Sequence, residues 1–201
     1  MATVQLKLGP TDHGHPLTLE EFDEADFEPG FQYEIIDGSV YVSTSPNFPE
    51  NFLENWLQMK LFIYSVHHPM VINYVTTKPR VFVHSRKKAT VPEPDIAAYS
   101  DFPKNTPLRE LQWQTLSPIL VAEVLVDGKP EKDLERNLEL YFDVPSIAEY
   151  WVLDGRDNPD EPTLIQHRRY GRRWVVRSFA YDSTFTTKLL PEFSLLIDPR
   201  K

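Results

Sequence analysis

Residues 119–126 form the most apolar run of the chain, and they constrain the fold more than any other segment. Both alternating faces of this run are apolar, which is typical of a β-strand covered on both sides. Glu123 lies in its middle. A buried carboxylate is costly unless it is paired or binds a metal ion, so the sequence points to a functional site here. Alternatively, Glu123 lies near the end of the strand and meets an arginine or a backbone amide.

Composition narrows the class of protein. The 201 residues suffice for one domain with a sizeable core. The net charge of −9 argues against a constitutive nucleic-acid binder. It does not exclude a metal-dependent nuclease, because the carboxylates of a metal site add negative charge that the metal cancels. The absence of cysteine excludes disulfides and thiolate zinc sites. We expect residues 1–16 to be a flexible leader and residues 17–201 a single cytoplasmic domain with no membrane span.

Local signals predict an N-terminal helix and a hairpin, followed by alternating strands and helices. Thr18 is a candidate N-cap with Glu21 as its capping-box partner. Asp37-Gly38 between two β-prone runs predicts a hairpin of residues 33–36 and 39–42. The strand, helix and strand from residue 119 to 153 predict a right-handed parallel crossover. Helices are predicted at residues 47–66 and 129–142, and further strands at 71–76, 80–84, 95–99, 148–153, 163–170, 173–180 and 193–197.

Two further acids are candidates to join Glu123. Asp95 opens a short strand directly after Pro94, where Asp is otherwise disfavoured, although a turn-capping role is the common alternative. Glu34 shares a face of the hairpin strand with Ile36, and it enters the protein only if that face looks inward. Carboxylates of this kind supply the oxygen ligands that Mg²⁺ or Mn²⁺ prefers. A metal held there would activate a water and offset charge on a phosphate.

Five motifs follow one another along the chain: Tyr33-Glu34-Ile35-Ile36-Asp37-Gly38, Pro94-Asp95, Val121-Ala122-Glu123-Val124, residues 133–141 and Glu149-Tyr150-Trp151-Val152-Leu153-Asp154. Their order resembles the Uma-two family of restriction endonucleases, part of the PD-(D/E)XK nuclease superfamily. The resemblance covers about residues 17–197. It implies an α/β fold with a restriction-endonuclease-like mixed central sheet flanked by helices, and a Mg²⁺-dependent phosphodiesterase site. DNA is the expected substrate, and a hydrolase for another phosphate ester is an open alternative.

By this resemblance Asp95 and Glu123 would bind the metal, and Glu34 would be the acidic residue of the first hairpin. The superfamily's usual lysine, two residues after the Glu, falls at Leu125. Family members instead offer a lysine at the position of Asn137, which has no charge. Lys132, or else Lys129 or Arg136, is expected to replace it, unless these cations are ordinary solvated surface. A weakened or inactive nuclease-fold module that binds nucleic acid or protein is therefore the alternative function.

Two basic segments stand out in this acidic chain. Residues 78–88 carry five cations and no acid, and residues 167–177 carry five arginines with Tyr170 and Trp174 between them. Cations contact phosphates, and aromatic faces stack on unpaired bases, so either segment is a candidate DNA contact. The alternative is a pair of hairpins with solvated basic tips and an inward Trp174. A homodimer is a further expectation, because a symmetric pair suits the cutting of both strands of a duplex.

Overall fold

The computed structural model describes residues 5–127 and 130–201. Its helices are α1 (Leu19–Glu24), α2 (Phe48–His67) and α3 (Asn137–Phe142), the last preceded by a π-helical segment, Lys132–Arg136. Short 3-10 turns lie at Pro10–Asp12, Leu108–Glu110 and Trp113–Thr115. The strands are β1 (Lys7–Leu8), β2 (Asp26–Phe27), β3 (Phe31–Ile36), β4 (Ser39–Thr44), β5 (Tyr74–Thr77), β6 (Ile96–Tyr99), β7 (Leu120–Leu125), β8 (Glu149–Asp154), β9 (Thr163–Tyr170), β10 (Arg173–Phe179), β11 (Thr184–Thr186) and β12 (Ser194–Leu196).

A six-stranded mixed sheet in the order β10-β9-β8-β7-β6-β5 forms the centre of the fold. β7 and β8 are parallel, and every other neighbouring pair in this sheet is antiparallel. The parallel pair needs a crossover, which the chain makes through the π-helical segment and α3. The predicted α/β fold with a mixed central sheet and the strand–helix–strand crossover are both confirmed.

All six residues of β7 are buried, because core layers cover both faces of the sheet. On one face Ala122 and Val124 pack with Leu57 of α2. On the other face Val121 packs with Leu140 of α3. The continuous apolar run of residues 119–126 therefore has the doubly covered position that its pattern predicts.

The hairpin of β3 and β4 forms a separate two-stranded sheet beside the centre. Its turn residues Asp37 and Gly38 have φ values of 48° and 70°, the left-handed conformation that a type I′ turn requires at both positions. A bridge between Ile35 and Val91 ties the hairpin to the rest of the molecule. This connection carries Glu34, the neighbour of Ile35, toward the central sheet.

Three segments differ from their predictions. Residues 80–84 form no strand; Val81 and Val83 donate single backbone hydrogen bonds to Pro92 and Thr90 instead, in a stretch where proline removes donors. Residues 193–197 do not extend the central sheet, because β12 pairs with β11 and places Phe185 against the core. Part of the expected leader is ordered, since β1 pairs with β2 and Leu8 is buried.

Side chains cap the N-terminal ends of α1 and α2. The cap of α1 is the one that the sequence predicts. The Thr18 hydroxyl accepts from the Glu21 N–H, and the Glu21 carboxylate accepts from the Thr18 N–H, which completes the capping box. Asn47 caps α2 by accepting from the Glu50 N–H at 3.1 Å. Within residues 5–127 and 130–201, no helix combines the length and apolar character that crossing a membrane requires.

We expect Leu57→Ala to lower the free energy of unfolding by about 2–5 kcal/mol, because Leu57 is 0% exposed and its truncation leaves a cavity between α2 and the sheet. Met59 on the same helix is 48% exposed, so Met59→Ala should change the free energy of unfolding by no more than about 0.5 kcal/mol. Urea unfolding of the two variants measures the difference. Equal losses would show that α2 does not cover the sheet through this face.

Candidate active site

Asp95 and Glu123 meet because β6 and β7 are neighbouring antiparallel strands. Ile96 pairs with Ala122, which places the preceding and following residues side by side. The Asp95 N–H donates to Glu123 Oε2 at 3.3 Å, and the Val124 N–H donates to Asp95 Oδ2 at 2.6 Å. Both carboxylates are buried. The structure therefore brings together two acids that lie 28 residues apart in the chain.

Two neutral donors from α3, the helix of the crossover between β7 and β8, hold Glu123. Asn137 Nδ2 and the Tyr141 hydroxyl donate to Glu123 Oε1 at 2.8 and 2.7 Å. Burial, and then the charge of Asp95, nevertheless raises the pKa of Glu123 well above its usual range. A carboxylate so placed gains from any cation that binds beside it.

Asp95 is paired with a lysine that sequence reasoning assigned to a basic surface. Lys78 Nζ contacts Asp95 Oδ1, and it lies 3.3 Å from Glu54 Oε2 of α2. Burial alone would lower the pKa of Lys78, but the charges of Asp95 and Glu54 outweigh it and raise the pKa. Lys78 also has a φ of 48°, a left-handed backbone conformation that a lysine rarely adopts. The surroundings thus hold this lysine, charged, against the carboxylate.

Glu34 is buried next to two cations of the π-helical segment. Arg136 donates to Glu34 Oε2 at 2.8 Å, and Lys132 Nζ lies 3.7 Å from the same oxygen. The Glu93 N–H donates to Oε1 at 2.9 Å. Burial opposes ionisation, yet Lys132 and Arg136 together lower the pKa of Glu34. Glu34 is therefore held in ion pairs with these two cations, and its predicted part in catalysis stays a prediction.

A cavity of about 240 Å³ opens onto the two central acids. It is rich in carboxyl groups, and burial raises the pKa of Glu50 to about 7 and that of Asp133 to about 6, with the charge of nearby Asp95 acting in the same direction in each. Lys132 is the cation of its wall, where the sequence predicted it. Lys129 lies outside the described residues. The lining residues are Gln32, Ser43, Thr44, Ser45, Asn47, Glu50, Asp95, Glu123, Val124, Asp127, Lys132 and Asp133.

The π-helical segment sets the side chains around this cavity. The Asn137 N–H donates to the Lys132 carbonyl, five residues earlier, which inserts one extra residue into the helical turn. Lys132 thereby faces the cavity while Asn137 reaches Glu123. Arg136 donates to Asn137 Oδ1 at 3.0 and 2.9 Å and fixes the orientation of its amide. The uncharged Asn137 donates a hydrogen bond to the carboxylate of Glu123, and Lys132 supplies the positive charge in the cavity.

Sequence reasoning missed four residues of this network: Lys78, Glu50, Glu54 and Asp133. Glu50 and Glu54 are four positions apart on α2, so they share one helical face, and that spacing was the available signal. Lys78 had no such signal, because its place depends on a left-handed turn. Asp133 accepts from Asn137 Nδ2 at 3.1 Å, a contact that the α-helical spacing of four residues permits.

The donor set fits a hard divalent cation, with the protein supplying a minority of its ligands. Among the described residues, no group of three or more His, Asp or Glu side chains is arranged to hold a metal ion. Asp95 and Glu123 offer two carboxylates, and a carboxylate has lone pairs beyond the contacts described. Mg²⁺ commonly binds one or two carboxylates and takes its remaining ligands from water and substrate phosphate. The pair is therefore compatible with Mg²⁺ or Mn²⁺.

Comparison with known proteins relates this chain to one family model and to solved structures. A family model described as "Uma2: Putative restriction endonuclease" matches residues 19–198. The chain is also similar to the crystal structure of a "putative nuclease belonging to DUF820 from Anabaena variabilis", with a TM-score of 0.65 and 16% sequence identity. That similarity covers 90% of this chain and 96% of the other, and at such identity it establishes the shared fold. Among curated proteins, none matches this chain.

We expect Glu34→Gln to lower the free energy of unfolding at neutral pH by about 3–5 kcal/mol, because Lys132 and Arg136 lose their buried anion. Since the folded-state pKa of Glu34 lies below its unfolded value, its stabilisation is present above the unfolded pKa and is lost as the pH falls through the folded pKa. The difference between wild type and variant should therefore shrink on acidification. Urea unfolding between pH 7 and pH 3 measures it.

The matched control is Glu139→Gln, which removes an exposed partner of Arg86. Its cost should stay below about 1 kcal/mol, as for other surface ion pairs. Equal costs for Glu34→Gln and Glu139→Gln would contradict the anchoring role of Glu34.

Proposed function

We propose that this chain, which belongs to the Uma2 family of restriction endonucleases, is a Mg²⁺-dependent nuclease that hydrolyses phosphodiester bonds of DNA. The family assignment made from the ordered motifs is confirmed by the match over residues 19–198. The observation that carries the proposal is the convergence of Asp95, Glu123 and Lys132 on one cavity. Two carboxylates and one cation of this kind suit metal-assisted phosphoryl transfer.

Asp95 and Glu123 would hold the metal ion in this site. When bound, Mg²⁺ supplies a Lewis acid that polarises the phosphate and lowers the pKa of a coordinated water. Asn137 and Tyr141 donate to Glu123 Oε1, which orients the carboxylate and leaves Oε2 toward Asp95. Such a fixed orientation matters because an outer partner that turns a ligand away weakens metal affinity.

Lys132 would stabilise the negative charge that develops on the phosphate. Its pKa is raised above the usual value, since Glu34 and then Glu123 outweigh the burial that would lower it, so it stays protonated at neutral pH. Glu34 acts as a positioning residue, because it makes ion pairs with Arg136 and with Lys132, and Lys132 lines the cavity. A preorganised cation of this kind is worth a large factor in rate when water is excluded.

We expect Glu123→Gln to abolish Mg²⁺- or Mn²⁺-dependent nicking of supercoiled plasmid DNA, because the variant loses a ligand charge. Lys132→Met should reduce the rate by about 10²–10³, the usual loss of one electrostatic stabiliser. Lys104→Met, at an exposed loop position, serves as the matched control and should leave the rate unchanged. Single-turnover rates with circular dichroism of each variant test this. Full activity of Glu123→Gln would reject the assignment.

A second candidate function is a nuclease-fold module that binds nucleic acid without cutting it. It is favoured by one observation: Asn137, at the family's lysine position, is uncharged and is engaged by Glu123, Asp133 and Arg136. Wild-type protein would then bind DNA yet show no metal-dependent cleavage. If the site is only weakened, Asn137→Lys should raise the cleavage rate, because it restores the family's charge.

A further inference from the structure

The structure distinguishes the two basic segments of the sequence. Three of the five cations of the first segment, residues 78–88, make ion pairs within the protein that hold the site and the hairpin. The charged groups of these three are therefore not available to a partner, which leaves Lys87 and Lys88 as the exposed cations of this segment. The pairs are Lys78–Asp95, Arg80–Asp23 at 2.6 Å and Arg86–Asp143 at 2.9 Å.

In the second segment, Arg169 and Trp174 have structural roles. Arg169 donates to the backbone carbonyls of Tyr141, Phe142 and Val144 at 3.1, 2.9 and 3.0 Å. Trp174 is half-buried, and its indole N–H donates to a carbonyl of α3 at 3.0 Å. Both side chains therefore serve the packing of the β9–β10 hairpin against the crossover helix.

The other four arginines of this segment have no such role. Arg168, Arg172, Arg173 and Arg177 make no ion pair with any residue of the described chain. Residues 163–181 contain no Asp or Glu. We call these four side chains, together with Tyr170, the arginine surface. Its guanidinium groups remain uncompensated although the whole chain carries a net charge of −9.

Strand register places most of the arginine surface on one face. Arg173 pairs with Tyr170, and Val175 pairs with Arg168, so these side chains leave the same face of the β9–β10 hairpin. Arg177 is four positions beyond Arg173 and shares that face. Tyr170 is 64% exposed. The result is a row of cations with one accessible aromatic ring.

The carboxylate nearest in register does not neutralise this row. Glu149 pairs with Arg168 across β8 and β9. It is buried, however, and it accepts from Trp151 Nε1 at 2.8 Å and from the Thr187 hydroxyl at 2.5 Å. Its oxygens are therefore held by neutral donors, and in the arginine surface Arg172, Arg173 and Arg177 are exposed while Arg168 is half-buried.

We infer that the arginine surface binds the phosphodiester backbone of nucleic acid, as a docking site separate from the catalytic cavity. The inference rests on the proposed nuclease function for the identity of the polyanion. Arg173 and Arg177 are about 13 Å apart along an extended strand, which spans about four nucleotides of a B-form strand. Free guanidinium groups at that spacing can contact two phosphates of one strand, and Tyr170 can pack on a sugar or an unpaired base.

The position of the arginine surface on the sheet suits DNA binding and keeps it away from the catalytic cavity. β10 lies three strands from β7, a distance of about 14 Å. Arg177 pairs with Gln166, and Gln166 pairs with Trp151, so the side chain of Arg177 lies on the face of the sheet that α2 covers. Glu123 lies on the opposite face, toward α3. Loss of these cations should weaken binding and leave the single-turnover rate at saturating protein unchanged.

Edge protection is the competing explanation for these charges. β10 is an outer strand of the central sheet, and charged side chains on such a strand prevent edge-to-edge aggregation. Charge of either sign protects an edge, whereas only positive charge binds phosphate. Reversal of charge therefore separates the two explanations, since glutamate preserves the protection and repels the backbone.

The test is the salt dependence of duplex binding by the full chain in EDTA, where no metal-dependent cleavage interferes. Fluorescence anisotropy of a labelled 20-base-pair duplex gives Kd at a series of salt concentrations. For Arg173→Glu with Arg177→Glu we expect at least a tenfold rise in Kd at low salt and a log–log salt slope smaller by about 2. Arg173→Lys with Arg177→Lys should bind within a few-fold of wild type.

The matched control is Lys104→Glu with Arg109→Glu, which makes the same charge change on an exposed loop beside β5, at the opposite edge of the sheet. A Kd and salt slope equal to those of this control would overturn the inference. If the glutamate pair fails to fold, Arg173→Gln with Arg177→Gln gives the same readout. Arginine-dependent binding to phosphatidylserine vesicles without DNA binding would overturn it too.

Failure of the docking site and failure of the proposed nuclease can be distinguished. If the arginine variants bind DNA normally while Mg²⁺-dependent cleavage proceeds, the docking site is wrong and the nuclease stands. If the arginine variants lose DNA binding while neither the wild type nor any variant cleaves DNA, the docking site stands and the nuclease proposal is wrong.

Discussion

Glu123 lies in a strand whose six residues are all buried, and the structure around the site follows from the need to stabilise its carboxylate. Asn137 and Tyr141 donate to it from the crossover helix, and the Asp95 backbone donates from the neighbouring strand. These donors satisfy hydrogen bonds without cancelling charge. Two adjacent buried carboxylates remain, and an arrangement of this kind favours a cation between them.

Cations are placed around this pair in separate positions. Lys78 contacts Asp95 on the side of α2, whereas Lys132 reaches the cavity from the π-helical segment. Glu34 fixes Lys132 and Arg136 through a buried ion pair. The negative charge of the cavity is therefore balanced in part by the protein, and this leaves a defined share for a bound metal ion.

Much of the fold followed from local sequence patterns, because each depends on contacts within a few residues. The Thr18 cap, the Asp37-Gly38 turn and the doubly apolar strand of Glu123 are examples. Placing Asp95 beside Glu123 required the family resemblance as well, since strand pairing is a long-range property. Lys78 could not be predicted, because its position depends on a left-handed turn and on α2, which is distant in sequence. The strand expected at residues 80–84 failed because its pairing depended on proline-rich neighbours.

The bonds that Arg169 makes to carbonyls at the end of α3 and just beyond it have a consequence for how the protein can be divided. A chain shortened to end before β9 would keep every residue of the cavity, yet the helix that carries Asn137 and Tyr141 would lose the guanidinium that closes its C-terminal end. The acidic centre is therefore not a transplantable module. Any attempt to graft it onto another scaffold has to carry the outer hairpin along with it.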